Sequence, residues 1–214
     1  MSALAGMLKT TEAAMVSCVS PRDVNRVIDE GLMPSFLFNT DDGRHVTPAG
    51  CVFISFYFAS ADRLTSDERM HAIKVLAPKL RKWKWNNPRV RAADCIVRHD
   101  FLTIDVAPFV LGATSRWRQL TDACKNVMSE PDILGGTPVI RGTRVPAHDV
   151  AASVAAGYSV ADIIAAYPSL NAETVELATL YAKANPLRGR PRNGRTTGLV
   201  LQSERRVERR SHSG

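Results

Sequence analysis

The stretch from Gly135 to Pro186 is punctuated so closely that only short elements can form in it: GGTPVIRGTRVPAHDVAASVAAGYSVADIIAAYPSLNAETVELATLYAKANP. Pro138-Val139-Ile140 and Thr143-Arg144-Val145 flank Arg141-Gly142, which predicts a tight β-hairpin. Three helical patterns follow. Val150 and Val154 stripe the first, and Gly157 ends it. Ser159 caps the second, which carries Ile163, Ile164 and Tyr167 and stops at Pro168. Asn171 caps the third, with Val175, Ala178 and Ala182 along one side. The block holds no acid/base pair, thiol cluster or phosphate-binding glycine loop, so it reads as a recognition module. Arg141 and Arg144 could meet phosphate, a partner carboxylate or a dimer mate. Glu173 and Glu176 argue against inserting the third helix in a DNA groove, which leaves dimerisation or partner holding, with Arg141, Thr143 and Arg144 as contacts.

Charge and length bound the rest. A chain of 214 residues, 45% hydrophobic, can bury a core and is long enough for two small domains. The longest apolar run, Ala49 to Ala61, is too short to span a bilayer and predicts a buried helix. No secretory signal is evident. Cys18, Cys51, Cys95 and Cys124 have no paired spacing and read as reduced core thiols of a cytosolic protein. Of the net charge of +7, the segment from Leu187 onward carries +6, because Arg188, Arg190, Arg192, Arg195, Arg205, Arg206, Arg209 and Arg210 face only Glu204 and Glu208. That composition, poor in core formers except Leu199-Val200-Leu201, predicts a disordered tail. The nearly neutral remainder must find any nucleic-acid contacts locally.

At the other end, Thr10 opens a helix running to Val16. After a short turn, Ser20 caps a second helix with Pro21 at its first position and Asp23 in its first turn. Val24, Val27 and Ile28 form its apolar stripe, and Gly31 and Pro34 end it. The spacing predicts a helix-turn-helix whose second helix turns Arg22, Asn25 and Arg26 to solvent. Arg can read guanine and Asn adenine bidentately, so these three with Ser20 are candidate DNA contacts. Phe36-Leu37-Phe38, the turn Asn39 to Gly43 and Arg44-His45-Val46 predict a hairpin, hence a wing, with Arg44 and His45 as further contacts.

Thr47-Pro48 starts a third helix, and Thr65 and Glu68 form a capping box for a fourth with Met70, Ile73, Leu76 and Leu80 on one face. Lys79 to Trp85 interleaves cations and aromatics, a pattern that serves single-strand stacking but more commonly a solvated helix end. Two β-like runs, Cys95 to Val97 and Phe101 to Ile104, lie either side of Arg98-His99-Asp100. His99 and Asp100, adjacent on a turn, are poorly placed to act as catalytic base and orienter. Asp105 caps a long helix striped by Val106, Phe109, Val110, Ala113, Trp117, Leu120 and Val127, which Ser129-Glu130-Pro131 closes. The expected fold is mainly α with small β-hairpins. A winged head spans 8–62, an α/β linking layer 63–128, a tri-helical domain with a leading β-hairpin 129–186, and the basic tail 187–214.

The G-x-P-V-I-R-G-T-R run, the A-A-G-Y-S turn and the Y-P-x-L turn resemble a small domain of unknown function that recurs in bacterial antitoxins partnered with PIN-type ribonuclease toxins. The head resembles those of MerR-like and excisionase-like DNA-binding proteins, although Val16-Ser17-Cys18-Val19 supplies no glycine to its turn. The whole order resembles the large two-module VapB-type antitoxins. That resemblance implies a non-enzymic antitoxin that neutralises a PIN-like ribonuclease and represses its own operon by binding operator double-stranded DNA as a dimer, in the cytoplasm. It matches the helix Ser20 to Glu30 to the DNA reader, and Gly136, Pro138, Arg141, Gly142, Thr143 and Arg144 to the domain's signature. No catalytic residue, metal, cofactor or membrane partner is expected. The tail, with Arg205, Arg206 and Arg209, is expected to meet the toxin's acidic metal site. The rival readings are a stand-alone MerR-like regulator with a C-terminal sensor or partner-binding domain, and a nuclease. PIN nucleases cluster carboxylates around a metal, and no such set is evident.

Overall fold

The described residues, 6–82 and 92–187 of a computed structural model, begin with a two-residue strand too short to leave a sequence pattern. Strand β1 (Leu8–Lys9) leads into α1 (Thr10–Ser17) and α2 (Pro21–Asp29). Thr10 is the first helical residue of α1 and not its cap; Lys9 holds that position, and Glu12 accepts from the Lys9 N–H at 2.9 Å. At α2 the expected cap forms in full. Ser20 Oγ accepts from the Asp23 N–H at 3.2 Å, and Asp23 Oδ2 accepts from the Ser20 N–H at 3.1 Å. The turn between the helices dispenses with glycine: Cys18 itself takes the left-handed conformation, φ 55°.

Phe36 and Leu37, expected in a strand, lie in a 3-10 turn, and only Phe38–Asn39 (β2) is extended. Strand β3 (His45–Val46) pairs antiparallel with both β2 and β1, giving a three-stranded sheet in the order β1-β3-β2 behind the two helices. Helix α3 (Pro48–Ala59) follows, and Thr47 caps it by accepting from the Gly50 N–H at 3.0 Å. Gly50 is there because nothing larger fits: a Cβ would stand 2.6 Å from Val46 Cγ1 and 3.0 Å from the Leu37 carbonyl. The apolar run is a buried helix on every side, with Phe53, Ile54 and Phe56 fully enclosed.

Helix α4 (Ser66–Arg81) starts at the Thr65–Glu68 capping box and buries Ile73, Leu76 and Leu80 against α3. Trp83 and Trp85 lie outside the described residues, as do 188–214 with Leu199-Val200-Leu201, Arg205, Arg206 and Arg209. The hairpin β4 (Ile96–His99) to β5 (Leu102–Asp105) is longer than expected: Arg98 and His99 belong to its first strand, and Asp100-Phe101 makes the turn. Asp105 Oδ1 accepts from the Ala107 N–H at 2.8 Å and so caps α5 (Ala107–Asn126).

Val127, expected on the helical stripe of α5, instead opens β6 (Val127–Met128), which pairs antiparallel with β7 (Val139–Ile140). The expected hairpin over Pro138–Val145 is correspondingly reduced to a turn. The Ile140 N–H donates to the Val145 carbonyl at 2.9 Å, but the ladder partner of β7 is β6. Helices α6 (Ala147–Ala155), α7 (Val160–Ala166) and α8 (Ala172–Ala184) then fold over a separate small core of Val127, Ile140, Ala147, Val150, Ile163, Leu170, Val175 and Ala178. Helix α8 packs on both α6 and α5, and Ala184 joins the large core of the first two-thirds of the chain. Among the described residues the fold is thus mainly α, with small antiparallel strand pairs. No helix there is long and apolar enough to cross a membrane.

The cysteines divide. Cys51 and Cys95 are buried, whereas Cys18 and Cys124, expected in the core, are exposed. Burial pushes the Cys51 thiol up to about 12, so it packs as a neutral side chain.

Candidate nucleic-acid interface

Helix α2 divides its faces by the helical period: Val24, Val27 and Ile28 pack inward while Arg22, Arg26, Asp29 and Glu30 face solvent. Arg22 is exposed and forms no hydrogen bond or ion pair among the described residues. Arg26 is held along the helix, its Nε donating to Glu30 Oε1 at 2.8 Å. Asn25 does not share their open face. It is half-buried, and its Oδ1 is enclosed without a partner, because position 25 sits beside the Val24–Ile28 stripe rather than opposite it. The Ser20 hydroxyl is engaged with Asp23, to which it also donates at 2.7 Å, so its first task is to start the helix.

The wing is tied to the helix it follows. Arg44 Nη2 donates to Asp29 Oδ1 at 2.7 Å, which fixes the β2–β3 turn against the carboxyl end of α2. His45 is half-buried, its Nδ1 3.2 Å from the Gly43 carbonyl. A rigid unit results, with Arg22 and Arg26 on the helix and Arg44 and His45 on the wing, and two of its three guanidiniums already have a carboxylate.

The glycine-rich signature is mainly structural. Arg141 donates from Nε to the Lys125 carbonyl at 2.7 Å and from its backbone N–H to the Asn126 carbonyl at 2.8 Å, which seals the carboxyl end of α5. Thr143 Oγ1 donates to the Ile140 carbonyl at 2.8 Å and accepts from the Val145 N–H at 3.0 Å, which closes the turn. Gly142 (φ 77°) and Gly136 (φ 85°) supply left-handed backbone, and the Ser129 hydroxyl donates to the Gly136 carbonyl. Of the expected contact residues of this module, only Arg144 is exposed and without a partner among the described residues.

The same device recurs. Arg116 Nε donates to the Val16 carbonyl at 2.6 Å, at the end of α1. Arg69 Nη1 donates to the Tyr57 carbonyl at 2.7 Å, near the end of α3, with its guanidinium 4.1 Å from the Tyr57 ring centre. A cation at a helix carboxyl end meets both the unsatisfied carbonyls and the negative end of the dipole. Sequence reading missed these roles, because nothing local distinguishes such an arginine from a solvent-facing one.

His99 and Asp100 stand 3.7 Å apart and largely exposed, and the His99 ring packs on His71 at 4.1 Å between centres. Among the described residues no group of three His, Cys, Asp or Glu side chains is placed to hold a metal ion. Among the described residues, concavities flank the C-terminal module, and two of them bear on its helices. One, of about 290 Å³, is a groove lined by Ser153, Tyr158, Asp162, Ile163, Ala166 and Tyr167. The other, of about 520 Å³, lies between the wing and the end of α8, with Lys9, Arg44, His45 and His148 in its walls.

Residues 127–182, the second core and its helices, match the model of a family described as a protein of unknown function, DUF433. The full chain is similar to y4eO of Sinorhizobium fredii, a protein described as uncharacterized: the two are 53% identical over 219 residues, spanning 100% of this chain and 98% of that one. The chain belongs to the family of that protein. No solved structure matches it.

Proposed function

We propose that the chain is an antitoxin of a type II toxin–antitoxin system. In this reading the winged head binds operator duplex and represses the operon, and the C-terminal module holds a PIN-like ribonuclease toxin. The observation that carries it is the head: two helices joined by a tight turn, backed by a β1-β3-β2 sheet, with Arg22 exposed on the second helix and Arg44 on an adjoining wing. That arrangement suits insertion of α2 in a major groove with the wing along the backbone. A dimer presents two such helices to half-sites about one helical turn apart. The antitoxin part is supported by the resemblance of the Gly135–Pro186 block. The groove beside Tyr158 and Tyr167, with half-exposed Val160 nearby, offers a partner an apolar seat. The distal arginines Arg205, Arg206 and Arg209 supply cations for an acidic toxin site.

Operator binding tests the head. Arg22→Ala is expected to weaken it by about 1–3 kcal/mol, the worth of a bidentate base contact. Arg26→Ala should cost less, because Arg26 must first leave Glu30. Unchanged binding in the double variant would remove α2 as the reader. Co-expression with a PIN-like nuclease, should the adjacent gene encode one, tests the other half. Failure to neutralise it, with operator binding intact, would favour a stand-alone regulator whose C-terminal module senses a ligand. The large cleft between wing and module is the observation that keeps that second reading in view.

A further inference from the structure

Large exposed apolar side chains stand singly among the described residues, with one exception. Tyr158 and Val160, 41% and 42% exposed, share the turn from α6 into α7. The Tyr158 N–H donates to the Ser153 carbonyl at 3.2 Å, and Gly157 takes a left-handed φ of 90°, so the backbone that carries both is fixed. Beside them runs the groove of about 290 Å³, walled by Ser153, Ile163, Ala166 and Tyr167. Of the 17 residues from Ala151 to Tyr167, 11 are exposed, and Asp162 is the one charged group. Its carboxylate is already engaged, accepting from the Ser159 N–H at 3.2 Å and from the Ser159 hydroxyl at 2.6 Å. The surface thus sets apolar side chains that stand out next to an apolar recess, and carries almost no charge. Contiguous apolar surface of this kind marks an interaction site. The core beneath is small, so covering this surface adds a large share to the apolar area that holds α6 and α7.

We propose that two copies of the chain pair through this surface, with Val160 of each copy seated in the groove of the other beside Ala166. Charge selects the occupant. A two-fold axis sets one patch against itself, so a self-pairing patch must carry both projection and recess and must not repeat a charge. The α6–α7 surface meets these conditions, and the other candidate faces do not. The outer side of α8 exposes Glu173 and Glu176, the signature turn exposes Arg141 and Arg144, and α2 exposes Arg22 and Arg26. Each of those would oppose like charges across a two-fold, and each suits a partner of opposite charge. A small-molecule ligand is disfavoured, because the groove falls below the roughly 300–1,000 Å³ of such sites and its one charged group is taken. The 11 exposed residues are roughly half of the about 20–30 a side in a standard interface, so the pairing belongs at the weak end of the scale. The inference supplies the dimer that the reading of the head calls for, and it uses none of the head's residues. The pairing itself does not depend on DNA.

The test is the mass of the full-length protein by sedimentation equilibrium, without DNA, across a concentration series. Wild type is expected to pass from monomer to dimer as concentration rises. Val160→Glu brings a carboxylate to a groove that already holds Asp162, and Ala166→Arg fills the groove. Both positions are exposed, an acid suits the amino end of α7 and a base its carboxyl end, so each variant should fold, which circular dichroism checks. Each alone is expected to raise the dimer dissociation constant by roughly a hundredfold or more, since each spoils both seats. An equimolar mixture of the two variants is expected to dimerise again. The mixed pair has one unaltered seat and one that joins a carboxylate to a guanidinium. A wild type that stays monomeric at every concentration would overturn the proposal, and so would variants that dimerise as wild type does. A mixture that stays monomeric would overturn the seating of Val160 beside Ala166. Variants that dimerise normally but no longer neutralise a PIN-like nuclease would give the surface to that protein and overturn the pairing. No arm of the mass measurement uses DNA, so failure of wild type to bind duplex would sink the reading of the head and leave this one standing.

Discussion

Helix α3 at the centre of the head buries ten consecutive residues, Pro48 to Tyr57, whereas no helix of the C-terminal module buries more than three. The head is organised around large side chains: Phe53 and Phe56 are fully enclosed, and the Phe56 ring meets Phe109 edge-on at 5.5 Å. The module has a core of valines, alanines, two isoleucines and a leucine, and it relies on turns and on the support of α5 beneath α8. Short helices can therefore be held in two ways, by a shared apolar axle or by closely specified ends. The second kind of unit gains less from burial and loses more when a turn is altered.

The largest expected effect comes from emptying each core. Phe53→Ala should cost about 3–5 kcal/mol and lower the stability of the whole molecule, while Ile163→Ala should cost about 2–4 kcal/mol. Hydrogen exchange on the Ile163→Ala protein should show faster exchange in α6 to α8 with α1 to α3 unaffected. Equal acceleration in both regions would mean that α8 on α5 joins them into one cooperative unit, and the comparison would fail.

Glycines give the next effect. Gly50→Ala should cost about 1–3 kcal/mol by overpacking, since the new Cβ meets Val46 and the Leu37 carbonyl in a closed interior. At Gly142 a Cβ has open space, and only the left-handed φ of 77° opposes it, so Gly142→Ala should cost about 1 kcal/mol. Chemical denaturation of the two variants measures both. A larger loss at Gly142 would show that its turn supports more than local structure.

Matched caps give the smallest and sharpest comparison. Ser20→Ala and Ser159→Ala each remove a Ser–Asp capping box, worth about 1 kcal/mol in either place. The head should absorb that loss with its fold and its midpoint cooperativity intact. In the module the seven-residue α7 has Ile163 as its one buried residue, so the same loss should show as local fraying by circular dichroism before global unfolding. Identical melting curves for the two variants would remove the distinction.

Caps and stripes were the legible part of this fold, because each is decided within four residues. Ser20, Thr47, Thr65, Ser159 and Asn171 all start helices where the sequence places them. Strand β1 was illegible because two residues carry no alternation, and its existence depends on His45 and Val46 arriving from later in the chain. Val127 fits the helical stripe of α5 equally well as a strand residue, and pairing with Ile140 decides between them. Of the candidate site, the exposure of Arg22 followed from periodicity alone. The burial of Asn25 Oδ1 and the turning of Arg141 onto the Lys125 carbonyl depend on neighbours that periodicity does not supply. The cleft could not be read at all, since Lys9, Arg44 and His148 meet only after the module folds back onto the head.

The arginines at the helix ends set an order of assembly. The Tyr57 carbonyl is met by Arg69, 12 residues later, and the Lys125 carbonyl by Arg141, 16 residues later, so α3 and α5 can be closed soon after they leave the ribosome. The Val16 carbonyl waits for Arg116, 100 residues downstream. Closing so long a loop is slow compared with the other two, and until it happens the carboxyl end of α1 is held by local bonds alone, the Cys18 and Val19 N–H groups donating to the Met15 and Ala14 carbonyls at 3.3 and 3.0 Å. During synthesis the Val16 carbonyl is therefore the last of the three to be met, only once α5 has been made, and it is this late contact that ties α1 to the long helix behind it.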